Sequence, residues 1–274
     1  MNTSPLLASS HEQQSVFNDV PSLDFCLRKF DKDTLVSQER ASLLNRIDDK
    51  FVIDIHQLTE MLAAISNEYS LLEIQGKSLF SYETFYYDTH KFALYNMHHS
   101  GKKNRFKIRT RRYLESNRLY HEIKIKDNKG LTTKIRKEHR EQERQHHFDR
   151  ELLNNTLNIE SEKLEPKIKV NYKRLTLLNK TSNQRVTIDL NIEFKNIETQ
   201  YTKQLNNIAI IEIKRDRENH QIKYSSIHRE LKNRGYRKTT FSKYCMGCLL
   251  TNTKGLKHNQ FKTNLLDLSK TLSH

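Results

Sequence analysis

The chain has 274 residues, and its 48 Lys and Arg against 33 Asp and Glu give a formal net charge of +15. That excess favours phosphate-rich partners such as nucleotides, polyphosphate, nucleic acid or anionic lipid. The length suits one large domain, no apolar run is long enough to cross a bilayer, and three cysteines (Cys26, Cys245, Cys248) argue against a disulfide framework.

Residues 1–22 are polar and lack the basic and apolar regions of a signal peptide, which predicts a flexible leader and a cytoplasmic setting. From 23 to 45, Phe25, Leu27, Phe30, Leu35, Val36, Leu43 and Leu44 recur at mostly helical spacing. Arg46 to Ile53 then predicts a first strand with Arg46, Asp48 and Lys50 on one face. Leu58, Met61, Leu62 and Ile65 at i, i+3, i+4 and i+7 predict an amphipathic helix within 55–69. Tyr82 to Asp88 is aromatic and strand-prone, and a short helix follows through Phe92 and Leu94 to His99.

The stretch from Arg105 to Lys137 alternates cations with apolar residues at a period of two, in three short strands. The first sets Arg105, Lys107, Arg109 and Arg111 on one face. The second sets Glu122, Lys124 and Lys126 together; after a turn at Asn128, Lys129 and Gly130, the third does the same with Lys134 and Arg136. An ordinary half-buried sheet with a solvated basic face explains this pattern. So does a sheet that curls to enclose its charged face, and like charges packed that way repel unless an anion neutralises them. A polyanionic ligand is the consequence of the second arrangement.

Residues 138–163 are highly charged, with Phe148, Leu152 and Leu153 suggesting a short helix. Lys167–Leu178, Arg185–Phe194 and Asn207–Lys214 read as further strands, and the last puts Glu212 and Lys214 on one face. Strict alternation sets Arg174 with Ile168, Val170 and Tyr172 on the apolar face, which predicts a β-bulge or a tunnel mouth there. A helix over 224–233 ends near Gly235; Thr240 to Tyr244 leads into an apolar segment ending at Leu250, and 253–274 is a polar tail. Cys245 and Cys248 form a lone CxxC for which helical packing is favoured over zinc or redox chemistry, and the pairs His98–His99 and His146–His147 read as surface. The expectation is an α+β chain: a leader over 1–22, one domain over 23–252 and the tail. Its centre is an eight-stranded antiparallel closed barrel with a cationic lumen and flanking helices.

Six glycines and no GxxxxGK[ST] or GxGxxG exclude a backbone cradle for phosphate, so side chains must do the binding. Glu122, Asp189, Glu193 and Glu212 on ionic faces serve either as charge balance or as holders of Mg²⁺ or Mn²⁺. No helix-turn-helix, zinc-finger or RNA-binding signature points to nucleic acid.

The ordered motifs from Arg46 to Gly247 resemble the VTC (vacuolar transporter chaperone) domain, a branch of the triphosphate tunnel metalloenzyme or CYTH-like superfamily. Arg46-x-Asp48-x-Lys50 resembles its first strand, where CYTH triphosphatases carry Glu at the first place. Its paired arginines resemble Arg109 and Arg111, its Glu-x-Lys strand Glu122 to Lys124, and its Lys-x-Arg Lys134 to Arg136. Further matches are Tyr172 and Arg174, Arg185 to Asp189, Glu212, and the closing Ser242, Lys243 and Tyr244. The resemblance implies an ATP-dependent polyphosphate polymerase. Lys50, Arg109, Arg111, Lys124, Lys134, Arg136, Arg174, Arg185 and Lys243 would bind ATP and the chain, and Glu212 would hold Mn²⁺ or Mg²⁺. A tunnel triphosphatase and a non-catalytic polyanion binder are the alternatives; a separate partner protein would be needed to bring the chain to a membrane.

Overall fold

The computed structural model describes residues 23–40, 46–129, 131–139, 148–157, 164–216 and 225–272; the expected leader, Gly130 and the pair His146–His147 lie outside them. In chain order the elements are α1 (Leu23–Arg28), β1 (Asp31–Asp33), α2 (Leu35–Arg40), β2 (Arg46–Asp54), α3 (Leu58–Ile65), β3 (Tyr69–Leu72), β4 (Phe80–Asp88) and α4 (Ala93–His99). Then come β5 (Arg105–Tyr113), β6 (Arg118–Lys126), β7 (Thr132–Glu138), α5 (Arg150–Thr156), β8 (Glu165–Asn179), β9 (Arg185–Asn196), β10 (Thr202–Leu205) and β11 (Ile208–Asp216). Helices α6 (Ser226–Asn233), α7 (Lys243–Leu250) and α8 (Lys262–Leu272) complete the fold. Among the described residues no helix is long and apolar enough to cross a membrane.

Eight strands form one antiparallel path, β2-β11-β9-β8-β4-β5-β6-β7; β10 adds to β9, β3 to β8, and β1 pairs with β3 in parallel. The path curls, because Lys50 of β2 and Lys134 and Arg136 of β7, its two ends, line the same cavity. The expected closed barrel is seen as an open curled sheet: among the described residues no ladder joins β2 to β7. The physical reason is that the free edge of β2 is already taken. Thr239 N–H donates to Lys50 O at 2.8 Å and Lys50 Nζ donates to Phe241 O at 3.2 Å, so the segment before α7 covers that edge.

The convex face of β2, β11, β9 and the second half of β8 carries Phe51, Ile53, Ala209, Ile211, Ile213, Val186, Ile188, Leu190, Leu175 and Leu177. These pack under α1, α3 and α6 through Leu23, Leu27, Leu58, Met61, Leu62, Ile65, Ile227 and Leu231. Helix α3 starts cleanly because Asp54 accepts from His56 N–H at 2.9 Å and opens the turn that feeds it; all four residues of its apolar stripe are buried. On β4, β5 and β6 the covered face holds Tyr87, Ile108 and Ile123 against α4 and α5 through Leu94 and Leu153.

At one end the concave face is filled with apolar side chains. Ile168, Val170, Ile192 and Phe194 meet Tyr244, Cys245, Met246 and Cys248 of α7. Both α7 cysteines are buried and free, in the helical packing their spacing suggested. Gly247 permits the close approach: a Cβ there would lie 2.7 Å from Ile168 Cγ2 and 2.9 Å from Phe194 Cδ1. Beyond 252, where the sequence suggested a polar tail, α8 buries Leu268, and Asn264 Nδ2 donates to Thr239 Oγ1 at 2.6 Å.

The concave face also resolves the parity of Arg174. Ile168, Val170, Tyr172, Arg174 and Thr176 share one face of β8 throughout, and that face passes from apolar packing under α7 to the cavity. The bulge lies in β9. Asn171 pairs with Glu193 but Lys173 with Leu190, and Asn191 takes a φ of 50°, in the left-handed region that Asn tolerates. That extra residue turns Ile192 and Phe194 to the concave side while Val186, Ile188 and Leu190 face the convex core.

Candidate functional site

The cationic faces converge on a cavity of about 390 Å³. Lys50 from β2, Lys107, Arg109 and Arg111 from β5, Lys124 from β6, Lys134 and Arg136 from β7, Arg174 from β8, Arg185 from β9, Lys214 from β11 and Lys243 from α7 line it. Glu212 of β11 is the single carboxylate among the lining residues. All ten residues singled out from the sequence therefore share one cavity. Lys107 and Lys214 were missed, although their alternation with Arg109 and with Glu212 carries the same signal.

Neighbouring strands set the order of these side chains. The β5–β6 register pairs Arg105 with Lys126, Lys107 with Lys124 and Arg109 with Glu122, and the β6–β7 register extends the last two rows to Lys134 and Arg136. Two carboxylates behind the lining hold it in place. Glu122, fully buried, accepts from Arg109 Nε at 2.7 Å and Nη2 at 2.6 Å and also pairs with Lys134. Asp189 accepts from Arg174 Nε at 2.6 Å and Nη2 at 2.9 Å and also takes the Lys243 ammonium. Rings contribute too. The Arg111 guanidinium lies 5.4 Å from the Tyr82 ring centre and that of Arg136 3.4 Å from Tyr120.

Protonation follows from this crowding. Burial alone would raise the Glu122 carboxyl, but Arg109, Arg111 and Lys134 outweigh it and hold it well below the usual carboxylate range. Arg174 and Lys243 do the same for Asp189 against its burial, and Lys214, Lys50 and Lys124 for Glu212. The lysines move the other way. Burial pushes Lys134 and Lys214 down to about 8 despite Glu122 and Glu212 nearby. Burial likewise lowers Lys107, Lys124 and Lys243, with Arg109 repelling Lys124. Buried cations whose charge is disfavoured in the free protein are those an anion stabilises most.

Among the described residues no three His, Cys, Asp or Glu side chains gather to hold a metal ion. Glu212 offers one carboxylate, kept ionised, with the Lys214 ammonium 3.6 Å away. A Mg²⁺-like cation needs only one or two protein carboxylates when phosphate oxygens and water fill its other positions. Glu212 fits a cation that arrives with a triphosphate better than one resident among lysines.

A second cavity of about 330 Å³ shares Lys107, Lys124 and Ser242 with the first and adds Arg105, Lys126, His98 and Gln260, with no carboxylate among its lining residues. His98 Nε2 lies 2.9 Å from Phe106 O, and His99 stacks on Tyr95, so neither acts as a metal pair. His228 belongs elsewhere, 3.3 Å from Asp49, which also takes Arg215 and Lys238.

Fold and site together define a curled antiparallel sheet whose inner face is lined by Lys and Arg side chains. The VTC domain family model matches residues 45–252, and the chain belongs to that family. Among solved structures it is similar to an adenylate cyclase candidate from Bacillus halodurans, with 13% identity over 72% of this chain and 94% of that one and a TM-score of 0.49. It is also similar to an adenylyl cyclase candidate from Hippeastrum with a dominant triphosphatase activity, with 13% identity over 74% and 94% and a TM-score of 0.47. A Pyrococcus horikoshii protein aligns at 16% identity over 73% and 97%, with a TM-score of 0.41. No curated protein matches the chain.

Proposed function

We propose that this protein is an ATP-dependent polyphosphate polymerase in which the curled sheet, completed by the segment before α7, serves as a cationic tunnel. The observation that carries the reading is the lining itself: eleven Lys and Arg side chains from seven strands of the path and α7 surround one cavity with a single lining carboxylate. Such a site has little affinity for neutral or cationic substrates and a strong one for a chain of phosphates. Its membership of the VTC domain family supports the same reading.

In the proposed reaction an oxygen of the terminal phosphate of the growing chain attacks the γ-phosphorus of ATP in line. The bond from the γ-phosphorus to the β–γ bridging oxygen breaks, and ADP leaves with that oxygen. No side-chain nucleophile is needed. Arg109 and Arg111, next-but-one on β5, hold non-bridging oxygens, and Lys50, Lys134, Arg136, Arg174, Arg185 and Lys243 offset the charge of the two phosphate groups brought together. Glu122 and Asp189 keep Arg109 and Arg174 aimed. Glu212 would hold Mn²⁺ or Mg²⁺, which when bound neutralises triphosphate charge. Lys107 and Lys124 stand where the two cavities meet, so the product chain passes into the second cavity, where Arg105 and Lys126 receive it. In the cell, a separate membrane protein would carry the polymer onward from a cytoplasmic enzyme.

The test is to incubate the purified protein with ATP and Mn²⁺, resolve the products on a gel stained for polyphosphate, and assay ADP and free phosphate in parallel. Polymer with matching ADP supports the polymerase. Free phosphate without polymer makes the chain a triphosphatase, and neither product makes it a polyanion binder.

A further inference from the structure

Thr187 stands out among the lining residues because its hydroxyl has nothing to do. The residue is 4% exposed, and Oγ1 is buried with no hydrogen-bond partner among the described residues. A buried hydroxyl without a partner is unfavourable, and native structures rarely keep one without a use for it. The apolar core does not ask for it, since Val186 and Ile188 on either side of it in β9 face the convex core while Thr187 faces the cavity.

Its position is informative. Thr187 pairs across the sheet with Thr176 of β8 on one side and Glu212 of β11 on the other, and Glu212 pairs in turn with Lys50 of β2. Thr176, Thr187, Glu212 and Lys50 thus form one row over the floor of the cavity, and all four line it. The methyl and hydroxyl of a threonine occupy alternative staggered positions on Cβ, so a turn about χ1 aims Oγ1 into the cavity without moving the backbone.

We infer that Thr187 is a further triphosphate-binding residue, whose hydroxyl donates to a phosphoryl oxygen held over the row beside Glu212 and Lys50. The inference rests on the proposed reading that a triphosphate occupies this cavity. It makes the floor of the site a neutral donor between a carboxylate and the flanking cations: a hydroxyl adds a directed hydrogen bond without adding to the like-charge repulsion of the lining.

The test uses Thr187→Val and Thr187→Ser, with inorganic tripolyphosphate as the probe and no metal present, so that turnover plays no part. Valine keeps the shape and removes the hydroxyl; serine keeps the hydroxyl. The expected result is that T187V unfolds at the same or a higher urea concentration than the wild type yet binds tripolyphosphate about tenfold more weakly in calorimetry. T187S binds within about twofold of the wild type. A structural hydroxyl gives the reverse: lost stability in T187V with unchanged affinity, which overturns the inference. Wild-type binding shared in full by T187V overturns it alone, whereas a wild-type protein that does not bind tripolyphosphate overturns the reading of the cavity and the inference with it.

Discussion

Arg109 and Arg111 stand next but one on the same strand and face the same cavity, yet their removal is expected to have different costs. Arg109 gives both Nε and Nη2 to Glu122, whose side chain is fully buried. Truncation to alanine leaves that carboxylate in direct contact with Lys134, with Arg111 acting on it through its charge. Removing one partner of a buried ion pair costs about 3–5 kcal/mol, most of it the burden of the charge left behind. Arg111 has no such dependant: its Nε donates to Thr84 Oγ1 at 3.4 Å and its guanidinium lies over Tyr82. Loss of a long hydrogen bond to a neutral hydroxyl and of a ring contact costs about 1 kcal/mol, offset in part by relief of repulsion in the lining. With a urea slope of about 3 kcal/mol/M, R109A should lower the unfolding midpoint by about 1–1.7 M and R111A by about 0.3 M. Both should weaken tripolyphosphate binding by about 10–150-fold, the worth of one charge-assisted contact. Urea titration followed by calorimetry on the folded variants reads both effects. Equal midpoint shifts would refute the assignment of Glu122 as a carboxylate that depends on Arg109, and unchanged affinity in R111A would refute the assignment of the cavity.

The lysines predict a pH dependence. Lys134 and Lys214 lose their protons near pH 8 in the free protein, and a bound anion raises both pKa values because it favours the charged form. Affinity for tripolyphosphate then falls as the pH rises through 8, with net proton uptake on binding near that pH; calorimetry in two buffers of different ionisation enthalpy measures it, and a constant affinity from pH 7 to about 9.5 contradicts it. Gly247→Ala forces α7 away from Ile168 and Phe194, so a loss of about 1–3 kcal/mol in stability should accompany a fall in turnover as Lys243 shifts from Asp189; unchanged stability and turnover would show that the close approach is dispensable. Glu212→Gln should keep tripolyphosphate binding and lose most metal-dependent turnover, whereas a variant with full turnover would remove Glu212 from the metal's surroundings.

Much of the fold was legible because alternation is a local signal. Arg105 to Arg111 and Lys134 to Arg136 declared a cationic strand face without any knowledge of their neighbours, and the stripe from Leu58 to Ile65 declared α3 in the same way. Less legible were features fixed by contacts distant in sequence. No pattern in β8 says that the face shared by Val170 and Arg174 is packed under α7 at one end and open at the other, and the bulge that sorts the two faces sits in β9 at Asn191. The free edge of β2 is covered by Thr239 and Phe241, some 190 residues away, which is why a count of strands alone suggested a closed barrel. Within the site, motif resemblance selected ten lining residues but passed over Lys107 and Lys214, although alternation along their strands had already set them on the faces of Arg109 and Glu212. Thr187 falls within the Arg185 to Asp189 match, but its unpartnered hydroxyl was not legible, because that is a property of packing and not of composition.

The central claim is that the γ-phosphate of ATP is passed to a phosphate chain and not to water. A phosphorus NMR time course with ATP and Mg²⁺ tests it most directly, since internal phosphates of a chain, terminal phosphates, ADP and free phosphate are resolved in one spectrum. Internal-phosphate signal growing in step with ADP, with little free phosphate, and absent in R111A, is the predicted result. Free phosphate growing in step with ADP, with no internal-phosphate signal, would contradict it.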